Sequence, residues 1–110
     1  MAIRRVILVW LVPEATDAER ADLARRLGGE LVRCAGESVA SSRDAIEAGV
    51  KRDPRAGFDV FAVARFADEA EVDRFDRAAV GVVARVCGDR LGGCKQYDFA
   101  TVGFQGGGNE

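Results

Sequence analysis

Apolar residues fill both alternating faces of the segment from Ile3 to Val12, apart from Arg4 and Arg5. A strand apolar on both sides is expected in the middle of a sheet, with something packed over each face. Pro13 ends it. Thr16-Asp-Ala-Glu19 reads as a capping box, in which the Thr side chain and the Glu satisfy free amides at a helix start. Leu23, Leu27 and Leu31, with Ala24, follow as a stripe at helical spacing. Gly28 and Gly29 interrupt that stripe, so the helix either ends there or runs on, weakened, to about Cys34. Between Gly36 and Gly57 the pattern is faint. Glu37 to Ala45 reads as a polar edge strand, and Ala45 to Arg55 as a charged loop or short helical turn punctuated by Pro54 and Gly57.

Clear alternation returns at Phe58 to Phe66, with Phe58, Val60, Ala62, Ala64 and Phe66 on one face and Asp59, Phe61, Val63 and Arg65 on the other. Asp68-Glu-Ala-Glu71 opens a second helix with an acidic first turn, favourable to the helix dipole. Its buried stripe runs through Val72, Phe75, Ala79, Val82 and Val86, with Gly81 an odd choice inside it. A turn from Gly88 to Gly93 leads to a last strand, Lys95 to Phe104, and the Gly-rich tail 105–110 is expected to be disordered. The order β-α-β-β-α-β defines an α+β, ferredoxin-like topology with a four-stranded antiparallel sheet. Helices cover one face of such a sheet. The other, carrying either Val6, Leu8 and Trp10 or Ile7, Val9 and Leu11, needs a partner, and a second copy of the chain is the simplest one.

Composition narrows the chemistry. At 110 residues and 11.8 kDa the chain has room for one domain, read as residues 1–104. A formal net charge of −2 asks for neither a nucleic acid nor an anionic membrane. The run from Val6 to Pro13 is too short to span a bilayer and lacks a signal peptide's cleavage pattern. There is no histidine, which removes His-based general bases, Ser-His-Asp triads, Cys-His pairs and His-containing metal sites. Cys34, Cys87 and Cys94, an odd number at wide spacing, fit a reducing cytoplasm better than a disulfide framework, and their spacing is wrong for zinc. Neither metal nor cofactor is expected. Fourteen of the sixteen basic residues are Arg, as in proteins from GC-rich bacterial genomes.

The opening MAIRRVILVWLVPE, the capped helix after it, Gly57-Phe-Asp-Val-Phe-Ala-Val-Ala-Arg-Phe66, the acidic helix cap and the closing Tyr97-Asp98-Phe99 together resemble the stress-responsive dimeric α/β-barrel (Dabb) family. The resemblance covers about residues 1–104 and implies a homodimeric barrel with a pocket between sheet and helices of each subunit. Cofactor-free polyketide cyclases of that family carry histidines where this chain has Arg5, Val60 and, at or near it, Gly81. Phe75 stands in place of a tyrosine. Only the aspartate matching Asp98 is retained, so the family's His-Asp proton transfer does not carry over.

Arg5 and Asp98 would then sit on neighbouring strands. They form a structural salt bridge, or are two solvated ends of strands, or make a site in which Arg5 holds a substrate oxygen and Asp98 is the base. Leu27, Val60, Ala62, Phe75 and Gly81 are expected to line the pocket, leaving room for a small apolar or carbonyl-bearing ligand. Tyr97 alternates away from Asp98, and Trp10 is assigned to the packing between subunits. Asp59 and Arg65 are read as meeting polar groups across that interface, and Arg43 as either closing the pocket or solvating an edge. Lys51, Arg52 and Arg55 read as a solvated loop, since no aromatic side chain interleaves them.

Three functions follow: a cofactor-free cyclase, isomerase or lyase acting on a small apolar carbonyl compound; a non-catalytic ligand-binding or stress-associated dimer; or a cofactor-independent oxygenase. Haem chemistry is disfavoured by the lack of an axial histidine.

Overall fold

A computed structural model describes residues 2–36, 39 and 45–102. The first apolar run forms β1 (Ile3–Leu11), and Thr16 caps α1 (Asp17–Ala35). The capping box is complete: Glu19 N–H donates to Thr16 Oγ1 at 3.1 Å, and Thr16 N–H to Glu19 Oε1 at 2.9 Å. The helix runs unbroken through Gly28 and Gly29. Leu23, Ala24, Leu27 and Leu31 are all buried, so packing of the stripe outweighs the two glycines' poor helix propensity.

The second strand departs from expectation. β2 is Glu47–Val50, inside the segment read as a loop or helical turn, while most of the proposed strand Glu37–Ala45 lies outside the described residues, as do Arg43 and the tail 105–110. Four residues without alternation give no strand signal of their own. Pairing with β3 (Val60–Phe66) creates the strand, with Ala48 opposite Ala62 and Val50 opposite Val60.

Asp68 caps α2 (Glu69–Ala78), its carboxylate accepting from Glu71 N–H at 3.0 Å. The predicted single second helix is in fact two. The chain breaks at residues 79–81 and resumes as α3 (Val82–Cys87), with Gly81 at φ +70°, a left-handed conformation costly for other residues. Val72, Phe75, Val82 and Val86 are nonetheless all buried. A 3₁₀ turn, Gly88–Arg90, leads into β4 (Leu91–Ala100), which starts earlier than predicted.

The sheet order is β2-β3-β1-β4 with every neighbouring pair antiparallel, the ferredoxin-like arrangement. Ile3, Ile7, Val9 and Leu11 of β1 pack with Val60, Ala62, Ala64 and Phe66 of β3 and with the helix stripes, forming the core. Phe66 and Phe75 meet edge to face at 5.2 Å. Of the two alternatives for the open face, the structure selects Val6, Leu8 and Trp10. They stand beside Phe61 and Val63 and beside exposed Tyr97 and Phe99 of β4.

Candidate functional site

One charged side chain stands on the helix-covered face of β1. Arg5 is 3% exposed, and burying a guanidinium is tolerable only if its N–H groups are met. They are. Asp98 lies directly opposite on β4 and accepts in a fork, from Nε at 2.8 Å and from Nη2 at 3.0 Å. Asp76 of α2 accepts from Nη1 at 2.5 Å and from Nη2 at 3.5 Å. The guanidinium carbon also lies 5.3 Å from the ring centre of Phe66. Burial alone would depress the Arg5 pKa, but hydrogen bonds from Asp98 and Asp76, and attraction to both carboxylates, outweigh it and raise it. Arg5 is a permanent cation holding two carboxylates in place, and among the described residues one of its five N–H donors meets no acceptor.

Beside this array is a cavity of about 190 Å³ between the sheet and α1, α2 and α3. Arg5, Asp76 and Gln96 supply its polar wall, and Ile7, Leu31 and Phe75 much of the apolar one. The break between α2 and α3 forms the rim, through Ala79, Gly81, Val82, Val83 and Ala84. Of the residues expected at a pocket, Arg5, Phe75 and Gly81 line this one. Leu27, Val60 and Ala62 do not. The α1 stripe closes directly over β3, leaving all three in the filled core at 0–1% exposure. Asp98 is bonded to Arg5 but is not part of the cavity wall.

Sequence reasoning missed Asp76 and Gln96. Asp76 follows Val72 by four residues and so borders the buried stripe, while Gln96 shares a β4 face with Asp98. Periodicity gives both positions beside the buried residues, but not their place next to Arg5.

Asp59 is corrected outright. It precedes β3 and is 8% exposed within the protomer, so it does not face a partner. Its carboxylate accepts from Leu11 N–H at 2.7 Å and from Arg20 Nε at 3.0 Å, with Lys51 Nζ at 3.7 Å. All three cysteines are free; burial pushes the Cys87 thiol up from its ordinary value. Among the described residues no acidic, Cys or His cluster could hold a metal ion, and no helix is long and apolar enough to cross a membrane.

No family model matches the chain, and no curated protein does. Solved structures do. A dimeric protein of unknown function with a ferredoxin-like fold from Bacteroides fragilis aligns at TM-score 0.68 and 13% identity, over 91% of this chain and 96% of its own. A dimeric ferredoxin-like protein of unknown function from Thermobifida fusca aligns at TM-score 0.66 and 17% identity, over 92% of each chain. A Dabb family protein with a ferredoxin-like fold from Mesorhizobium loti aligns at TM-score 0.64 and 15% identity, over 93% of this chain and 98% of its own. At such identities the likeness establishes the fold: the chain is a ferredoxin-like α+β protein.

Proposed function

We propose that this chain is a Dabb-type homodimer that takes a small, mostly apolar carbonyl compound into the cavity of each protomer and acts on it without a cofactor, by proton transfer. The observation that carries this reading is the Asp76 carboxylate, half-exposed in the wall of a largely apolar cavity and oriented by a buried arginine. A positioned carboxylate beside a carbonyl compound can take a proton from the carbon next to the carbonyl. The remaining Arg5 N–H and the Gln96 amide are suited to hold the enolate oxygen that results. Return of the proton to another carbon gives isomerisation, and attack of the enolate on a second carbonyl gives cyclisation. Asp98 then has a positioning role, fixing the fork of Arg5. Free cysteines agree with a reducing, cytoplasmic setting.

The test is exchange of α-protons of phenylacetone and acetylacetone in D₂O, followed by ¹H NMR. Wild-type protein should accelerate exchange over buffer, and Asp76→Asn should reduce that acceleration by about 10²-fold or more. Exchange no faster than buffer with either probe would remove the base role.

One observation favours a second reading, a non-catalytic ligand-binding barrel. Four of the five Arg5 donors are already met by protein carboxylates, so the buried charge is balanced without a ligand. On that reading the probes show saturation transfer from the protein with no exchange.

A further inference from the structure

A second cleft, sharing no residue with the cavity, lies between the outer sides of α1 and α3. It is about 430 Å³ in volume, and its wall consists of Arg26, Gly29, Glu30, Arg33, Arg85 and Val86. The α1 members recur at three, four and seven residues, which places them on one stripe of the helix facing α3. Gly29 leaves a gap in that stripe: a Cβ there would meet no atom beyond its own turn of helix within 4 Å. Arginines frame the gap on either side along the helix, and Arg85 closes it from α3.

The charges in this cleft do not balance. Glu30 accepts from Arg33 Nη2 at 2.5 Å and from Arg85 Nη2 at 3.4 Å. Asp22 is shared between Arg25 at 3.5 Å and Arg26 at 3.7 Å. Within the lining, three arginines therefore face one carboxylate, an excess of two positive charges. The basic cluster at the other end of α1 differs, because Arg20 and Lys51 both turn onto buried Asp59. Hydrogen bonding to Arg33 is the main cause holding the Glu30 carboxyl below the usual carboxylate range, so it stays ionised and keeps the two arginines forked around it.

We propose that the Arg26–Arg33–Arg85 cleft binds a dianionic phosphate group, seated over Gly29. An excess of two positive charges matches a dianion, and the planar forks of arginine suit phosphate oxygens in pairs. The volume leaves room for a small group attached to the phosphate, in contact with Val86. The proposal is independent of the proton-transfer reading.

The experiment is a calorimetric titration of the full chain, at low ionic strength, with inorganic phosphate and separately with phenyl phosphate. Saturable binding should weaken by about tenfold in Arg85→Gln, since a charge-assisted contact is lost. Gly29→Leu should weaken it at least as much while leaving the charge unchanged and improving helix propensity, so loss of the fold is not the cause. Arg55→Gln, on a loop distant in sequence and paired with Asp53, should stay within about twofold of wild type, because screened surface charges act weakly. Equal affinity for both probes assigns the site to free phosphate; tighter phenyl phosphate assigns it to an organic ester. No saturable heat with either probe, an Arg55→Gln loss equal to that of Arg85→Gln, or an unaffected Gly29→Leu would each overturn the proposal.

Discussion

Among the described residues two charged side chains, Arg5 and Asp59, are buried, and they meet opposite ends of β1. Their surroundings assign them different work. Arg5 adjoins a cavity and is answered by two half-exposed carboxylates, an arrangement a ligand can reach. Asp59 is answered by the Leu11 amide, Arg20 and Lys51, and it fastens β1 to α1 and to the loop before β3. Burial pushes the Asp59 carboxyl up, but those three partners outweigh burial and leave it below its ordinary value. Its contribution to stability is therefore fully present above the unfolded pKa of about 3.9, and is lost as pH falls through the lower folded value. Asp59→Asn should cost about 2 kcal/mol at pH 7, since the amide keeps an acceptor for Leu11 but loses the charge-assisted bonds. Urea denaturation at pH 7 and again near pH 3 checks this, with the gap from wild type narrowing in acid. A gap of equal size at both pH values would show that packing, not charge, is what Asp59 supplies.

Elements were legible from sequence where their causes are local. The capping box at Thr16 and Glu19 and the Asp68 cap rest on residues within a few positions of one another and formed as read, while the alternation read at Phe58–Phe66 formed only from Val60 onward, with Asp59 buried against Leu11. β2 was not legible because its four residues acquire strand geometry from β3 and from the closeness of α1. The break at Gly81 was hidden because the buried stripe stays in phase across it. In the site, Arg5 stood out as a charge in an apolar strand, whereas Asp76 resembled any solvated helix acid until α2 was laid against β1. The glycine pair in α1 shows the same division. A Cβ on Gly28 would lie 3.1 Å from the Cβ of Ala48, so this glycine lets β2 approach the helix. A Cβ on Gly29 would meet nothing beyond its own turn of helix. Gly29→Ala should therefore raise stability by about 1 kcal/mol, the ordinary helix-propensity difference. Gly28→Ala should gain nothing or lose stability, because the helix must shift from β2 by a few tenths of an ångström. Thermal melts of the two single variants decide it: equal gains would mean that the contact with Ala48 is not tight.

At the scale of the whole molecule, one sheet face is covered by three helices and the other by nothing among the described residues. Val6 stands between Val63 and Tyr97 on the open face, and Leu8 between Phe61 and Lys95. Tyr97 and Phe99 are about half exposed, at 47% and 54%. A contiguous apolar surface of this kind on a small protein marks an interaction site. A two-fold pairing of the same face covers it in both copies at once, and it places Tyr97 and Phe99 of β4 against a partner while Gln96 and Asp98 stay on the helix-covered side. The expected outcome is a particle of twice the 11.8 kDa chain mass by light scattering at micromolar concentration. Leu8→Asp sets a charge at the centre of the face while leaving the helix-side core intact, so it should give a folded monomer with unchanged far-ultraviolet circular dichroism. Wild-type protein that runs as a monomer, or a Leu8→Asp variant that remains dimeric, would move self-association off this face. In the first case the exposed aromatic residues of β4 would have to be explained by a different partner.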